Sequence, residues 1–402
     1  MKRTSIAVLV VTAMCLTGCA AGGSSDGSTS GDVVKLGASL PLTGSLASFG
    51  PVFQDGYQAA VDEVNKAGGV TVDGKKEQVQ LVVLDSTSDA NTVADQTRTL
   101  VLQDGVAGLL GSVSPALTIP ASNTADLEKV PLVSTLTPVG AWKAGNANGW
   151  QYAWDLFFDE AAQIQDLFPT ADLTPTNKKV ALFTDTEEDG IAQGALMEKE
   201  APAAGYDVVY RAQFPVGTTD FSEYVNAAKA AGADVVIAQM IPPDSFALWK
   251  QMKALAFAPK VAFCEKCASQ AAFQKQLGPL AEGTSTSLIA SDPSSPEQQA
   301  LTTRFSPKYG QTTDLNSVMA AYSAAKILLD AINTAGSTDG AKINDAISKT
   351  DSQYPIGTVK FDSTHAYAVP PATFQWQGDK QIQISPKSPT SGTLQAPVSG
   401  LQ

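Results

Sequence analysis

The sequence predicts an α/β protein built from two doubly wound, Rossmann-like lobes. Short apolar runs of strand type alternate with amphipathic helical segments, which is the pattern of parallel sheets covered on both faces. The alternation comes in two blocks, before and after an aromatic-rich stretch at 142–158. About 350 residues follow a Gly- and Ser-rich tether, more than a single core usually serves.

In the first block, 33–40 (VVKLGASL) is an apolar strand that ends in the turn Pro41-Leu42-Thr43-Gly44. Phe53, Tyr57, Ala60, Val61 and Val64 then recur at helical spacing, and Gly68-Gly69 supplies a left-handed stop. Strands follow at 79–84 (VQLVVL), 106–110 (VAGLL) and 130–133, with a helix at 94–102. In the second block, strands at 179–184 (KVALFT), 206–212 (YDVVYRA), 233–240 (ADVVIAQM) and 261–263 alternate with helices at 193–204, 221–231 and 245–255. In open sheets of this kind, ligands sit at the carboxyl ends of strands. The strand 261–263 runs directly into Cys264-Glu265-Lys266-Cys267, which places that motif at a ligand-binding edge.

Lys2 and Arg3 precede an uncharged apolar run at 6–16, too short to span a bilayer and patterned as a secretory signal. Leu16-Thr17-Gly18-Cys19 resembles the lipobox of bacterial lipoproteins. That resemblance implies a signal peptide over 1–18, a lipid on Cys19, and a flexible tether over 19–31. No second apolar stretch reads as a membrane span. With Cys15 in the signal and Cys19 lipidated, Cys264 and Cys267 are what remains of four cysteines. In an oxidising compartment a disulfide between them is the expected state. The chain carries 27 Lys and Arg against 40 Asp and Glu, a net charge of −13. With no basic cluster, that balance argues against a nucleic-acid partner.

The stretch LGASLPLTGSLASFGPVFQDGYQAAVDEVNKAGGV resembles the opening of the leucine/isoleucine/valine-binding protein family, the type I periplasmic solute-binding proteins of ABC importers. Leu110-Gly111-Ser112-Val113-Ser114, Thr219-Asp220-Phe221-Ser222, Ile356-Gly357 and Phe374-Gln375-Trp376 extend the resemblance over nearly the whole mature chain. It implies a three-segment hinge, with lobe 1 at 32–155 and 288–357 and lobe 2 at 156–287 and 358–384. It also implies a lipid-anchored, extracytoplasmic monomer that traps a small solute between its lobes and presents it to an ABC permease.

The resemblance places site residues one by one. The family's ammonium-binding glutamate falls on Glu265. Its carboxylate-binding serine falls on Pro115, which has neither hydroxyl nor N–H; Ser114 or the N–H of Ala116 stands in. A second carboxylate loop falls on Thr135 and Thr137, and the first-lobe aromatic on Phe49. Asp189 replaces a tyrosine before Gly190, Ile241-Pro242 replaces a tyrosine pair, and Trp154-Asp155 stands where an arginine is usual. These departures leave two ligand classes open: an amino acid held differently, or an amine or amide without a carboxylate. One or two of Trp142, Trp150, Tyr152, Trp154, Phe157 and Phe158 are expected to face the cleft.

No metal or cofactor is expected, since zinc needs about four ligands and His365 is the lone histidine. Beyond the Gly- and Ser-rich tether the sequence has no GxSxG or Walker loop and no placed general base, which argues against an enzyme. Two alternatives stay open: a ligand sensor of the same fold, and a thiol–disulfide oxidoreductase working through Cys264 and Cys267. The stretch 385–402, rich in Pro, Ser and Gly, is expected to be disordered.

Overall fold

Val34–Leu40 (β1) is buried at every position but Lys35, and only a strand with neighbours on both edges and helices on both faces accepts that. A computed structural model describes this strand and the rest of residues 33–290, 295–388 and 391–402. The expected signal peptide, Cys19 and the tether lie outside the described residues.

The first lobe continues through Gly50–Lys66 (α1), the hairpin Val70–Val72 (β2) and Lys75–Glu77 (β3), Val79–Asp85 (β4), Ala90–Leu102 (α2), Gly108–Leu110 (β5), Ser114–Glu128 (α3), Leu132–Thr135 (β6), Val139–Ala144 (α4) and Ala153–Phe157 (β7). The second comprises Glu160–Ala171 (α5), Lys179–Asp185 (β8), Glu188–Glu200 (α6), Asp207–Phe214 (β9), Ser222–Ala230 (α7), Val235–Gln239 (β10), Pro242–Ala254 (α8), Val261–Cys264 (β11), Ala271–Leu277 (α9) and Thr284–Ile289 (β12). The chain returns to the first lobe for Pro296–Tyr309 (α10), Asp314–Ala335 (α11), Gly340–Ser348 (α12), Ser352–Tyr354 (β13), Gly357–Val359 (β14) and Ala366–Ala368 (β15). Pro371–Gln377 (β16) and Lys380–Ser385 (β17) close the second.

The first sheet, ordered β15-β7-β6-β5-β1-β4, is parallel throughout. The second, ordered β17-β16-β12-β11-β10-β8-β9, is parallel from β12 to β9, with β16 and β17 added antiparallel. The chain passes between the sheets after β7, after β12 and after β15. Hydrogen bonds tie the crossings together: Val369 N–H donates to the Phe157 carbonyl (2.9 Å) and Ala290 N–H to that of Pro370 (3.2 Å).

Several expectations are corrected. Residues 366–368, expected in lobe 2, pair with β7 in the first sheet, with Ala366 opposite Asp155. A three-residue strand carries too little pattern to announce its sheet. The tail is not free of structure. Of its described residues, Val398 and Leu401 are buried against the second-lobe core, and Gln375 Nε2 donates to the Gln395 carbonyl at 2.9 Å. Two apolar side chains docking on an existing core are invisible to composition. Helix α3, which the sequence reading passes over, holds Pro115 in its first turn, where no N–H is needed, but also Pro120 inside it. Finally, α11 has the length and the mean hydropathy, 1.2, of a membrane span, yet 89% of that window is buried inside the fold. It is a core helix, apolar all round because neighbours surround it. Against it Gly56 of α1 leaves no room for a side chain: a Cβ there would lie 2.6 Å from the Val318 carbonyl oxygen.

Candidate functional site

The carboxyl ends of the two sets of parallel strands face each other across a cavity. It encloses about 40 Å³ of space open to the centre of a water molecule, room for two or three waters at roughly 15 Å³ each. Lobe 1 supplies apolar walls: Phe49 ahead of α1, Val113 after β5, Leu136 and Pro138 after β6, Phe157 at the end of β7 and Phe158 just beyond it. Lobe 2 supplies a polar floor: Asp189 after β8, Gln239 at the end of β10, Lys266 after β11, Ser287 in β12, and Gln163 and Gln193 from α5 and α6.

Two wall residues hold backbone conformations that L-residues rarely adopt. Ser114 has φ 66° and Leu136 φ 53°, and Ser114 N–H donates to the Leu136 carbonyl at 3.3 Å. Such positions cost about 1–3 kcal/mol each and gather at binding sites. At the first crossing the Phe157 and Phe158 carbonyls accept from the N–H groups of Val369 (2.9 Å) and Val139 (3.1 Å), and Glu160 follows them. Its carboxylate accepts from the N–H groups of Gly140 and Ala141, both at 2.8 Å, and so ties α5 to the start of α4.

The floor centres on Lys266. Its Nζ lies 2.6 Å from Glu187 Oε2, 3.1 Å from both Asp189 carboxylate oxygens and 4.0 Å from Asp185 Oδ2. Burial pulls the Lys266 ammonium down, but Asp189, Glu187 and Asp185 outweigh it and hold it above its ordinary range. Burial pushes Asp185 up to about 7, against the pull of Lys266 and with the push of Asp189 and Glu187. The cluster also joins the lobes, since Ser114 Oγ donates to Glu187 Oε2 at 3.2 Å. Gln239 Nε2 donates to Asp189 Oδ2 at 2.8 Å.

Glu265 stands one layer behind the floor. It is fully buried, and its Oε2 accepts from Gln163 Nε2 (2.6 Å) and Ser287 N–H (2.8 Å). Gln193 Nε2 in turn donates to Gln163 Oε1 at 2.7 Å. Glu265 Oε1 and Ser287 Oγ, both buried, meet no partner at full hydrogen-bond geometry, although the Ser287 hydroxyl lies close enough to favour the Glu265 charge. Burial pushes the Glu265 carboxyl up to about 7, against the Ser287 N–H, the Gln163 amide and the Ser287 hydroxyl, which favour its charge.

Of the residues expected from sequence, Phe49, Ser114 and Asp189 line the cavity, and Glu265 reaches it through Gln163 and Ser287. Thr135 and Thr137 do not line it. The Thr135 hydroxyl donates to the Leu156 carbonyl at 2.7 Å, and that of Thr137 pairs with Thr118 at 2.8 Å. Both are held inside lobe 1. Ile241 is buried with the first-lobe core, its N–H on Asp185 Oδ2 at 3.0 Å, and Ala116 lies in the first turn of α3; neither lines the cavity. Of the aromatics, Phe157 and Phe158 face the cavity. Trp142 stacks on Trp150 (5.4 Å) and Trp154 on His365 (3.7 Å). Lys266 and the three glutamines escaped the sequence reading. The signal for Lys266 was its place beside Glu265 at a strand end. Cys264 and Cys267 are joined, with Cα atoms 5.5 Å apart, and both are buried. A redox centre needs an accessible sulfur.

Residues 33–381 match the periplasmic binding protein family. The chain belongs to that family. The Leu/Ile/Val-binding protein homolog 7 of Brucella abortus (strain 2308) is 26% identical over 387 residues, covering 90% of this chain and 94% of that protein. Among solved structures, the leucine binding protein LivK of Thermotoga maritima MSB8 superposes with a TM-score of 0.77 at 23% identity, covering 87% of this chain and 97% of that one. LivJ of Streptococcus pneumoniae, solved with isoleucine, gives 0.74 at 22% identity, covering 88% and 100%. This periplasmic binding protein thus shares the type I fold of those structures, and its family is one of extracytoplasmic solute-binding proteins.

Proposed function

We propose that this protein is the substrate-binding lipoprotein of an ABC importer, anchored through Cys19. It would capture a small polar solute, an amino acid or a related amine or amide, and deliver it to a membrane permease. The observation that carries the reading is the cavity itself. Its walls come from one lobe and its floor from the other, so a ligand contacts both only when they meet. Binding then shifts the hinge toward closure by the difference in affinity between the two states.

A thermal-shift panel of amino acids, amines, amides and small carboxylates tests it. Ligand at 100 times its dissociation constant adds about 2.7 kcal/mol, enough to raise the midpoint by a few degrees. A panel in which nothing raises the midpoint removes the reading. The anchor has its own check: Cys19→Ser should move the chain from the membrane fraction to the soluble one, and a variant that stays with the membrane refutes the anchor.

A further inference from the structure

The geometry points to a ligand class: a small monocationic amine with an apolar body and no carboxylate. The inference rests on the solute-binding reading above and narrows it. Four observations carry it. First, Lys266 is the one cationic side chain among the cavity's lining residues, and Glu187, Asp189 and Asp185 crowd its Nζ at 2.6, 3.1 and 4.0 Å. Three carboxylates around one ammonium leave the floor short of positive charge. Second, the side chains that would receive a ligand carboxylate are engaged elsewhere. Lys266 is bonded to Glu187 and Asp189, Ser114 Oγ to Glu187, Thr135 to Leu156, and Thr137 to Thr118. Third, the Ser287 hydroxyl lines the cavity and is directed at the buried Glu265 carboxyl, so the oxygen it leaves to a ligand is an acceptor. Fourth, Phe49, Phe157 and Phe158 offer an apolar and aromatic wall that tolerates a cation on its face.

Three probes share one branched alkyl group and differ only in charge: 3-methylbutylamine, leucine and 4-methylpentanoate. Calorimetric titration of the mature chain should give the amine an affinity at least about tenfold above leucine, with the carboxylate weaker still. Lys266→Met, which removes the resident cation, should tighten the amine by about tenfold, and Asp189→Asn should weaken it. Leucine or 4-methylpentanoate binding more tightly than the amine overturns the inference, as does a loss of amine binding in Lys266→Met. If a neutral amide or a carboxylate binds and no amine does, the ligand class is wrong while the solute-binding reading stands. If no member of the wider panel binds, both fall.

Discussion

Lys266→Met should destabilise the folded protein by about 3–5 kcal/mol at pH 8, the range for removing one partner of a buried ion pair. The methionine matches the lysine stem in size, so packing changes little. What changes is charge: Glu187, Asp189 and Asp185 lose the ammonium that lies at 2.6, 3.1 and 4.0 Å. The Glu187 side chain is only 14% exposed, and the other two are buried. At pH 5 the loss should be smaller, because the orphaned carboxylates then bind protons, and burial with mutual repulsion already pushes Asp185 up to about 7 in the intact cluster. Denaturant unfolding of both proteins at the two pH values checks this. An equal loss at both would mean that packing of the lysine stem, not its charge, holds the floor together.

How much of this was legible in the sequence follows from which physics each feature obeys. The lobes were legible because buried parallel strands such as Lys179–Asp185 and Val235–Gln239 show their burial as apolar runs. The position of the site was legible too, since strand ends locate it before any side chain is placed. Lys266 was not. A lysine is on average a surface residue, and nothing near it in sequence reveals that residues some eighty positions earlier deliver three carboxylates to its Nζ. The glutamine relay from Gln193 through Gln163 to Glu265 fails for the same reason: its members come from α6, α5 and the end of β11. Thr135 and Thr137 mislead in the opposite direction. Their position along the chain fits a ligand loop, but their hydroxyls turn inward, and side-chain direction at a loop is set by tertiary partners. Pro115 was read correctly as lacking a hydroxyl. The structure adds that the neighbour offered in its place, Ser114, is bound to Glu187.

Stability should fall as pH rises from 5 to 8, and Glu265→Gln should remove about 3 kcal/mol of that fall. The sign comes from proton counting. Glu265 ionises near 4.5 when unfolded and at about 7 when folded, because burial opposes its charge. Below 4.5 both states hold the proton, so pH has no leverage. Between the two values the unfolded chain has released its proton and the native protein has not, so each step up in pH favours unfolding. Above 7 both have released it and the slope vanishes. A gap of about 2.5 units corresponds to roughly 3 kcal/mol. Asp155 at about 8 and Asp314 at about 7, both raised chiefly by burial, act with the same sign, so the glutamine variant should flatten the decline without abolishing it. Carboxylates held low by hydrogen bonds, such as Asp85 and Asp362, act oppositely and only at more acid pH, where they set the other limit. Chemical denaturation of both proteins at several pH values across this range measures the slope. An unchanged slope in Glu265→Gln would mean that Glu265 is ionised throughout. Its charge would then be held by Gln163, by the Ser287 N–H and by the Ser287 hydroxyl, which all lie against it in the folded protein.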